Sequence, residues 1–118
     1  MHALIIEDEP LIAMAIEDVL RDEGYSSFDF AISADDAVAA ATRHCPDLIT
    51  ADVQLAPGSG VDAVLSICSR GRIPVVFVTS TGLEVRSRCP QHIIVAKPFR
   101  PSHLAEAVRL AAGGALPA

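Results

Sequence analysis

The sequence predicts a single α/β domain in which helices cover both faces of a five-stranded parallel β-sheet. Five short apolar runs alternate along the chain with segments of helical periodicity, an order that is typical of such sheets. Most of these runs are continuously apolar, as expected for strands that are buried on both faces. The 118 residues suffice for one domain, and a hydrophobic content of 51% supports a compact core.

Each strand and the helix that follows it form one cycle of the predicted fold. The first cycle combines a buried strand with an amphipathic helix. Residues 3–6 form an apolar run that stops at two acids. Pro10 opens the helical pattern, and Gly24 ends it. Apolar side chains recur at the spacing of one helix face, which we expect to be buried: Ile12, Ile16, Val19 and Leu20.

The second predicted cycle contains an edge strand. Residues 27–32 alternate polar and apolar side chains, which indicates a strand with one solvent-exposed face. Ser33 precedes Asp36 by three positions and resembles a capping box that starts the next helix. This helix is predicted to run to Arg43 and to stop before Pro46.

The third cycle and the fourth strand follow the same pattern. Residues 48–52 form the third predicted strand, and a loop that contains residues 57–60 follows it. Residues 75–79 are predicted as the fourth strand. The helix between these strands has an apolar side that we expect to face the core: Val61, Val64, Leu65 and Cys68.

The fourth cycle is too short for a regular helix. Seventeen residues, 80–96, separate Thr79 from Lys97. The fifth predicted strand at 93–97 takes up about five residues, which leaves roughly 12 residues for a helix and two loops. Gly82 and Pro90 also fall in this stretch. We therefore expect a short, irregular or mobile fourth helix.

The last helix is predicted to begin near Pro101 and to stop at Gly113 and Gly114. We expect residues 1–113 to form the domain and residues 114–118 to form a C-terminal tail. The apolar positions of this helix are expected to be buried: Leu104, Ala107, Val108 and Ala111.

The charge pattern argues against binding to nucleic acids. The chain carries 15 acidic and nine basic side chains, which gives a formal net charge of −6, and it has no run of Lys or Arg. Neutralisation of a phosphate backbone needs a concentrated basic surface. We therefore expect no direct contact with DNA or RNA.

The sequence also lacks patterns typical of membrane, exported or zinc-binding proteins. No apolar stretch approaches the roughly 18 to 20 residues of a spanning helix, and the N-terminus lacks the apolar core of a signal peptide. We expect no membrane association and a cytoplasmic location. The three cysteines are widely spaced, and the four histidines are scattered one at a time. Their spacing favours neither a disulfide framework nor a transition-metal site.

Four of the five predicted strands end in polar residues or are directly followed by them. Glu7 and Asp8 follow the first strand. Asp52, Thr79 and Lys97, the only lysine, close the third, fourth and fifth. Ligand sites of parallel sheets lie beyond these carboxyl ends. Crowded carboxylates repel one another, and a hard cation such as Mg²⁺ relieves this repulsion. Asp52 is then a central carboxylate that can attack an electrophilic phosphorus.

Four short motifs at these strand ends carry a resemblance to a known family. They are Ile-Ile-Glu-Asp-Glu-Pro at 5–10, Pro-Asp-Leu-Ile-Thr-Ala-Asp at 46–52, Val-Thr-Ser at 78–80 and Lys-Pro-Phe at 97–99. In this order they closely resemble the receiver domain of bacterial two-component response regulators, over essentially the whole chain. The resemblance implies a flavodoxin-like, doubly wound sheet with the strand order 2-1-3-4-5.

The resemblance also implies roles for individual residues. Asp52 accepts a phosphoryl group from a sensor histidine kinase or a histidine phosphotransfer protein. Asp8, Asp52 and the backbone carbonyl of Gln54 hold Mg²⁺, and Glu7 acts on the ion through water. Two further residues contact the phosphoryl oxygens: Thr79 and Lys97.

Residues around the fifth strand form the expected switch and partner region. In the family an aromatic residue commonly stands three positions before the lysine, where this chain has Ile94. We therefore expect the coupling between this aromatic residue and the hydroxyl residue, here Thr79, to be absent or reduced. The resemblance makes the Lys97–Pro98 bond, which precedes Phe99, a candidate cis peptide. With the short fourth cycle, the chain looks like receivers of bacterial general-stress signalling.

The leading hypothesis is a phosphorylation-dependent switch rather than an enzyme. The loops after the third and fourth strands are expected to alter binding to a separate downstream protein, and the chain to be a monomer or weak dimer. Two alternatives stay open: a phosphate sink that drains a kinase, and a receiver-like interaction module that is not phosphorylated. A phosphatase with an aspartate nucleophile is less favoured, because Gln54 stands where its second acid is expected.

Overall fold

The structure, a computed structural model, describes residues 1–55, 58–69, 71–81, 83–88 and 92–113. Strands and helices alternate along these residues, as the sequence predicts. In chain order the elements are β1 (His2–Ile6), α1 (Pro10–Asp22), β2 (Ser27–Ala31), α2 (Ala34–Arg43), β3 (Leu48–Ala51), α3 (Gly60–Cys68), β4 (Val75–Thr79), α4 (Leu83–Arg88), β5 (Ile93–Ala96) and α5 (Pro101–Gly113).

The five strands form one parallel sheet in the order β2-β1-β3-β4-β5. This order confirms the predicted doubly wound arrangement. Ile6 pairs with Ala51, Ala51 with Phe77, and Thr79 with Ala96. The carboxyl ends of neighbouring strands therefore lie within about two residues of one another, since paired residues are level along the strand direction. Residues that follow the strands are brought to one edge.

Two apolar cores lie on opposite faces of the sheet. One core joins the sheet to α1 and α5, and the other joins it to α2, α3 and Val85 of α4. In β1, Ala3 and Ile5 point into the α1–α5 core, whereas Leu4 and Ile6 point into the α2–α3 core. Alternation of side chains along a strand explains why this run is apolar throughout.

Local signals in the sequence determine where the helices begin. Pro10 occupies the first turn of α1, where a missing N–H group costs no hydrogen bond. Ser33 Oγ accepts a hydrogen bond from the N–H of Asp36 at 3.1 Å, which confirms the predicted N-cap of α2. Ser59 caps α3 in the same way, through the N–H of Val61 at 3.1 Å.

One predicted core residue of α3 is not buried, because Leu65 is 41% exposed, whereas Val61 and Val64 are buried. Cys68 is partly buried against the α2–α3 core, as predicted. The start of the helix is closely packed. The N–H of Gly60 donates to the carbonyl of Val53 at 2.9 Å. A Cβ atom on Gly60 would lie 1.7 Å from the carbonyl oxygen of Asp52, so only glycine fits. The residues that α3 buries are Gly60, Val61, Ala63 and Val64.

The fourth helix is short, as predicted. It has six residues, and Val85 is its buried contact with the α2–α3 core. The strands β3 and β5 each end one residue earlier than predicted, so Asp52 and Lys97 directly follow them. The predicted tail at 114–118 lies outside the described residues. Within the described part of the chain, every helix is too short or too polar to span a bilayer.

Candidate functional site

Backbone hydrogen bonds hold the predicted site residues at the carboxyl edge of the sheet. The N–H of Asp52 donates to the carbonyl of Ile6 at 2.9 Å, and the N–H of Lys97 donates to the carbonyl of Thr79 at 3.0 Å. Each bond extends the pairing of a strand by one residue. Asp52 is thereby fixed beside the end of β1, where Glu7 follows.

Lys97 lies at the centre of the site. Its Nζ atom is 2.8 Å from Glu7 Oε1, 2.9 Å from Asp52 Oδ2 and 3.6 Å from Glu9 Oε1. The side chains of Lys97, Glu7 and Asp52 are 12%, 1% and 9% exposed. Ion pairs this well removed from water are screened little by salt, so they hold the three groups together.

Burial and charge shift the ionisation of this group in defined directions. Burial raises the pKa of the Glu7 carboxyl above 4.5, and the Lys97 ammonium only partly offsets this effect. For Lys97, burial alone would lower the pKa, but the close contacts with the carboxylates of Glu7 and Asp52 and their negative charges outweigh it, so the pKa is raised. Lys97 therefore remains a cation at neutral pH.

Four acidic side chains at this edge form a donor set for a hard cation. Glu7, Asp8, Glu9 and Asp52 can each place a carboxylate oxygen within 4.8 Å of the others. Among the described residues no donor is aligned for a hydrogen bond with Glu7 Oε1, although Lys97 Nζ is 2.8 Å away. An oxygen-only set that includes exposed carboxylates suits Mg²⁺. The residues present therefore fit a bound metal ion.

Two residues to which the sequence analysis assigned no role also belong to the site. Glu9 joins the acidic cluster, and its N–H donates to Glu7 Oε2 at 3.1 Å. Its position directly after two acids was the available signal. Thr81 contacts the buried Thr79 hydroxyl, which donates to the Thr81 carbonyl at 3.1 Å and accepts from the Thr81 N–H at 3.2 Å. The Thr79 hydroxyl thus points to its own loop.

The Asp52 carboxylate is oriented by two contacts. Oδ2 accepts a hydrogen bond from Lys97 Nζ at 2.9 Å, and Oδ1 accepts a longer one from the N–H of Gln54 at 3.3 Å. Gln54 also forms an isolated bridge with Ser59, which closes the loop after β3. The backbone N–H of Gln54 thus lies beside the Asp52 carboxylate.

The remaining predicted residues surround β5. The Lys97–Pro98 peptide bond is cis, in agreement with the resemblance, and Pro98 is exposed. Ile94 is half-buried against the α2–α3 core, whereas Phe99 is half-buried against the α1–α5 core. The two apolar side chains therefore lie on opposite faces of the sheet.

Residues 3–109 match the family model of the response regulator receiver domain. The phyllosphere-induced regulator PhyR of Methylorubrum extorquens is 38% identical over 109 residues, which cover 89% of this chain and 41% of that protein. The chain spans about half the length of the curated relatives it matches.

Solved structures share the fold. The anti-anti-sigma factor PhyR from Bartonella quintana has a TM-score of 0.81 and is 38% identical, with 93% of this chain and 46% of that chain covered. The receiver domain of the sensor histidine kinase PA1611 from Pseudomonas aeruginosa, with a magnesium ion in its active site cleft, has a TM-score of 0.80 and is 29% identical over 95% of this chain and 97% of that one. A further PhyR, a stress response regulator, is 40% identical with a TM-score of 0.80, over 93% of this chain and 44% of that chain.

Proposed function

The chain belongs to the response regulator receiver domain family, and on this premise we propose that it is a phosphorylation-dependent signalling switch. Asp52 is the proposed phosphoacceptor, and the donor is a phosphohistidine of a sensor kinase or phosphotransfer protein. The position of the Asp52 carboxylate carries this proposal. It lies 2.9 Å from the only lysine and within a cluster of acids at the ligand-binding edge of the sheet.

In the proposed reaction a carboxylate oxygen of Asp52 attacks the phosphorus of the phosphohistidine. The O–P bond forms as the P–N bond breaks, and the electron pair of that bond leaves with the imidazole nitrogen. The acceptor then carries a charge of roughly −2 in place of −1. Lys97 is already paired with Asp52 Oδ2, so its ammonium is in place to balance part of the added charge.

Mg²⁺ is the proposed cofactor. Asp8, Asp52 and the backbone carbonyl of Gln54 are assigned as its ligands, and Glu7 acts through water. The oxygen-only donor set supports this assignment, and the related receiver domain of PA1611 contains magnesium in its active site cleft. A bound ion supplies neutralisation of the negative charge that the phosphoryl group brings to this acidic edge.

The proposed conformational response begins at Thr79. A phosphoryl group on Asp52 offers new acceptor oxygens, and a Thr79 hydroxyl that donates to them leaves the Thr81 carbonyl, to which it donates at 3.1 Å. Thr81 is exposed and precedes α4, a helix of only six residues. Short elements with few buried contacts change conformation at low free-energy cost. No aromatic ring takes part in this step, because Ile94 stands at the position where the family commonly has an aromatic residue.

The proposed output is altered binding to a separate protein in the cytoplasm, by a monomer or weak dimer. One PhyR relative is an anti-anti-sigma factor and another is a stress response regulator, which supports a protein partner in a stress pathway. The net charge of −6 supports the same choice, since it disfavours binding to nucleic acids.

Two-dimensional amide NMR tests the proposed switch. Spectra are recorded with Mg²⁺ and beryllofluoride for the wild type, for Asp52→Asn and for Asp22→Asn, a control in an exposed aspartate of α1. We expect shifts at 52–55 and 79–88 in the wild type and the control, and none in Asp52→Asn. An unchanged wild-type spectrum would refute the proposal.

Phosphate measurements separate the alternatives. A phosphohistidine donor should transfer one phosphoryl group to the wild type, as detected by mass spectrometry. Transfer without shifts at 79–88 would indicate a phosphate sink. Sustained release of phosphate from unrelated monoesters would indicate a phosphatase instead.

A further inference from the structure

A second group of metal-binding side chains lies at the amino edge of the sheet. His2 begins β1, Asp29 lies in the neighbouring strand β2, and His44 follows α2. One nitrogen of each histidine and one carboxylate oxygen of Asp29 lie within 4.8 Å of one another. The two histidines are far apart in the sequence, and strand pairing and the end of α2 bring them together.

The His2 ring is fixed by contacts at both nitrogens. Nδ1 is 2.7 Å from Ser27 Oγ, and Nε2 is 3.0 Å from Asp29 Oδ2. The backbone N–H of His2 donates to Asp47 Oδ2 at 2.7 Å, and the residue is only 5% exposed. Histidines that bind metals usually donate their second ring N–H to an oxygen, which fixes the tautomer. Ser27 Oγ is placed to accept such a bond.

The His2–Asp29 distance suits a shared metal ion. In a tetrahedral site with ligands at 2.0–2.1 Å, neighbouring ligand atoms lie about 3.3 Å apart. The 3.0 Å between His2 Nε2 and Asp29 Oδ2 is already close to this value. If Nδ1 carries the proton, the lone pair of Nε2 faces the carboxylate, and an ion between them removes the repulsion.

His44 is the third ligand available to this pair. Its ring lies flat on that of His2, with 3.7 Å between the centroids and 8° between the planes. The lone pair of an imidazole nitrogen lies in the plane of its ring, and the planes of stacked rings are parallel and separate, so His44 has to turn before it shares an ion with His2. The residue is exposed at the end of α2, where such a rotation meets little resistance.

We propose that His2, Asp29 and His44 form a Zn²⁺ site that links β1, β2 and α2. Two imidazoles and one carboxylate match the ligands of zinc sites in which water takes the fourth position. Nitrogen donors favour zinc over magnesium. His2 and Glu7 lie at opposite ends of β1, about 16 Å apart along the strand, so this site is separate from the acidic cluster.

Zn²⁺ titration followed by amide NMR, in the presence of excess Mg²⁺, tests the proposal. We expect shifts at residues 2, 27–29 and 44–47, and none at 7–9 or 52. His44→Ala should weaken the zinc affinity at least about tenfold, since even the loss of an outer-shell partner has that effect. His44→Gln, which keeps a polar side chain, serves as a second variant, and the amide spectrum verifies its fold.

His103→Ala, in an exposed histidine of α5, is the matched control and should bind zinc like the wild type. Co²⁺ provides an independent readout, since the wild type and the control should develop visible absorption that His44→Ala lacks. Zinc shifts confined to the acidic cluster, equal affinity of His44→Ala and wild type, or absence of binding would each overturn the proposal. The His2–Asp29 contact would then be a hydrogen-bonded pair only.

Discussion

The ammonium of Lys97 lies 2.9 Å from the carboxylate of Asp52, although the two residues are 45 positions apart. The same ammonium is 2.8 Å from the carboxylate of Glu7. One cation thus balances the negative charges of two carboxylates that have little access to water. If that cation is removed, both carboxylates lose the positive charge that stabilises them. The site is consequently a source of instability when Lys97 is missing, as well as a binding site.

Lys97→Met should lower the free energy of unfolding by about 3 kcal/mol at pH 7 without Mg²⁺, because it leaves buried carboxylates without their cation. Urea unfolding measures this loss. Arg43→Met removes an exposed cation and should change stability by less than about 0.5 kcal/mol. Excess Mg²⁺ should restore part of the loss. Equal stability of the Lys97 and Arg43 variants would show that water already screens the carboxylates.

Gly60→Ala should destabilise the fold by about 1–3 kcal/mol, since its Cβ would lie 1.7 Å from the carbonyl oxygen of Asp52. The loop after β3 has to shift, so the beryllofluoride-induced amide shift of Asp52 should also decrease. Gly71→Ala is the matched control, because within the described part of the chain, its direct neighbours aside, no atom lies within 4 Å of a Cβ there. Urea unfolding and NMR provide the comparison, and similar losses in both variants would contradict the packing argument.

Thr50→Val should stabilise the domain by about 1 kcal/mol, because a buried hydroxyl without a partner costs more than a methyl group. Thr50 lies in β3 between β1 and β4, and its Oγ1 has no hydrogen-bond partner among the described residues. Thr42→Val is the control, since that hydroxyl is exposed and donates to the carbonyl of Val38. A loss of stability in Thr50→Val, measured by urea unfolding, would indicate a partner such as a bound water.

His92 should make stability depend on pH. Its ring lies edge-on to Phe77, with the centroids 5.7 Å apart, and burial lowers its pKa below 6.5. A lowered pKa in the folded state means that the contribution is complete above pH 6.5 and is lost as the pH falls through the folded value. The difference in unfolding free energy between wild type and His92→Gln should therefore be largest at pH 7.5.

Urea unfolding at pH 7.5, 6.5 and 5.5 follows this difference. The exposed His103 offers the control variant His103→Gln, for which the difference should stay small throughout. A His92→Gln difference that is constant from pH 7.5 to 5.5 would show that protonation of the His92 ring meets no penalty in the folded protein.

The sequence predicted the elements well because their signals are local. Apolar runs, Pro10 and the Ser33 cap each act within a few residues. The strand order came from the resemblance, not from these patterns. The exposure of Leu65 could not be predicted, because apolar periodicity does not show how much of an apolar helix face the neighbouring elements cover.

The candidate site was predicted in part for the same reason. Strand ends indicated which polar residues share an edge, and the structure places Lys97 against Glu7 and Asp52. Contacts that depend on loop conformation or on pairing between strands leave no mark in the spacing of residues. The bond between Thr79 and Thr81 and the grouping of His2 with His44 are of this kind.

Thr79→Val should separate phosphoryl binding from the response of α4. The valine keeps the shape of Thr79 but loses the hydroxyl that contacts Thr81 at 3.1 and 3.2 Å. Beryllofluoride should still shift the amides of residues 52–55, because Asp52 and Lys97 remain. The shifts at 83–88 should fall to less than about half of the wild-type values. Valine has no hydroxyl that could leave the Thr81 carbonyl and donate a hydrogen bond to a phosphoryl oxygen instead.

Ser80→Ala removes an exposed hydroxyl from the same loop and should respond like the wild type. Amide NMR with Mg²⁺ and beryllofluoride compares the three proteins under one condition. Undiminished shifts at 83–88 in Thr79→Val would mean that α4 responds through another contact, and the ion pair between Arg88 and Asp62 at 2.7 Å, which connects α4 to α3, is the contact to test next. In that case Asp62→Asn, rather than Thr79→Val, would abolish the response of α4.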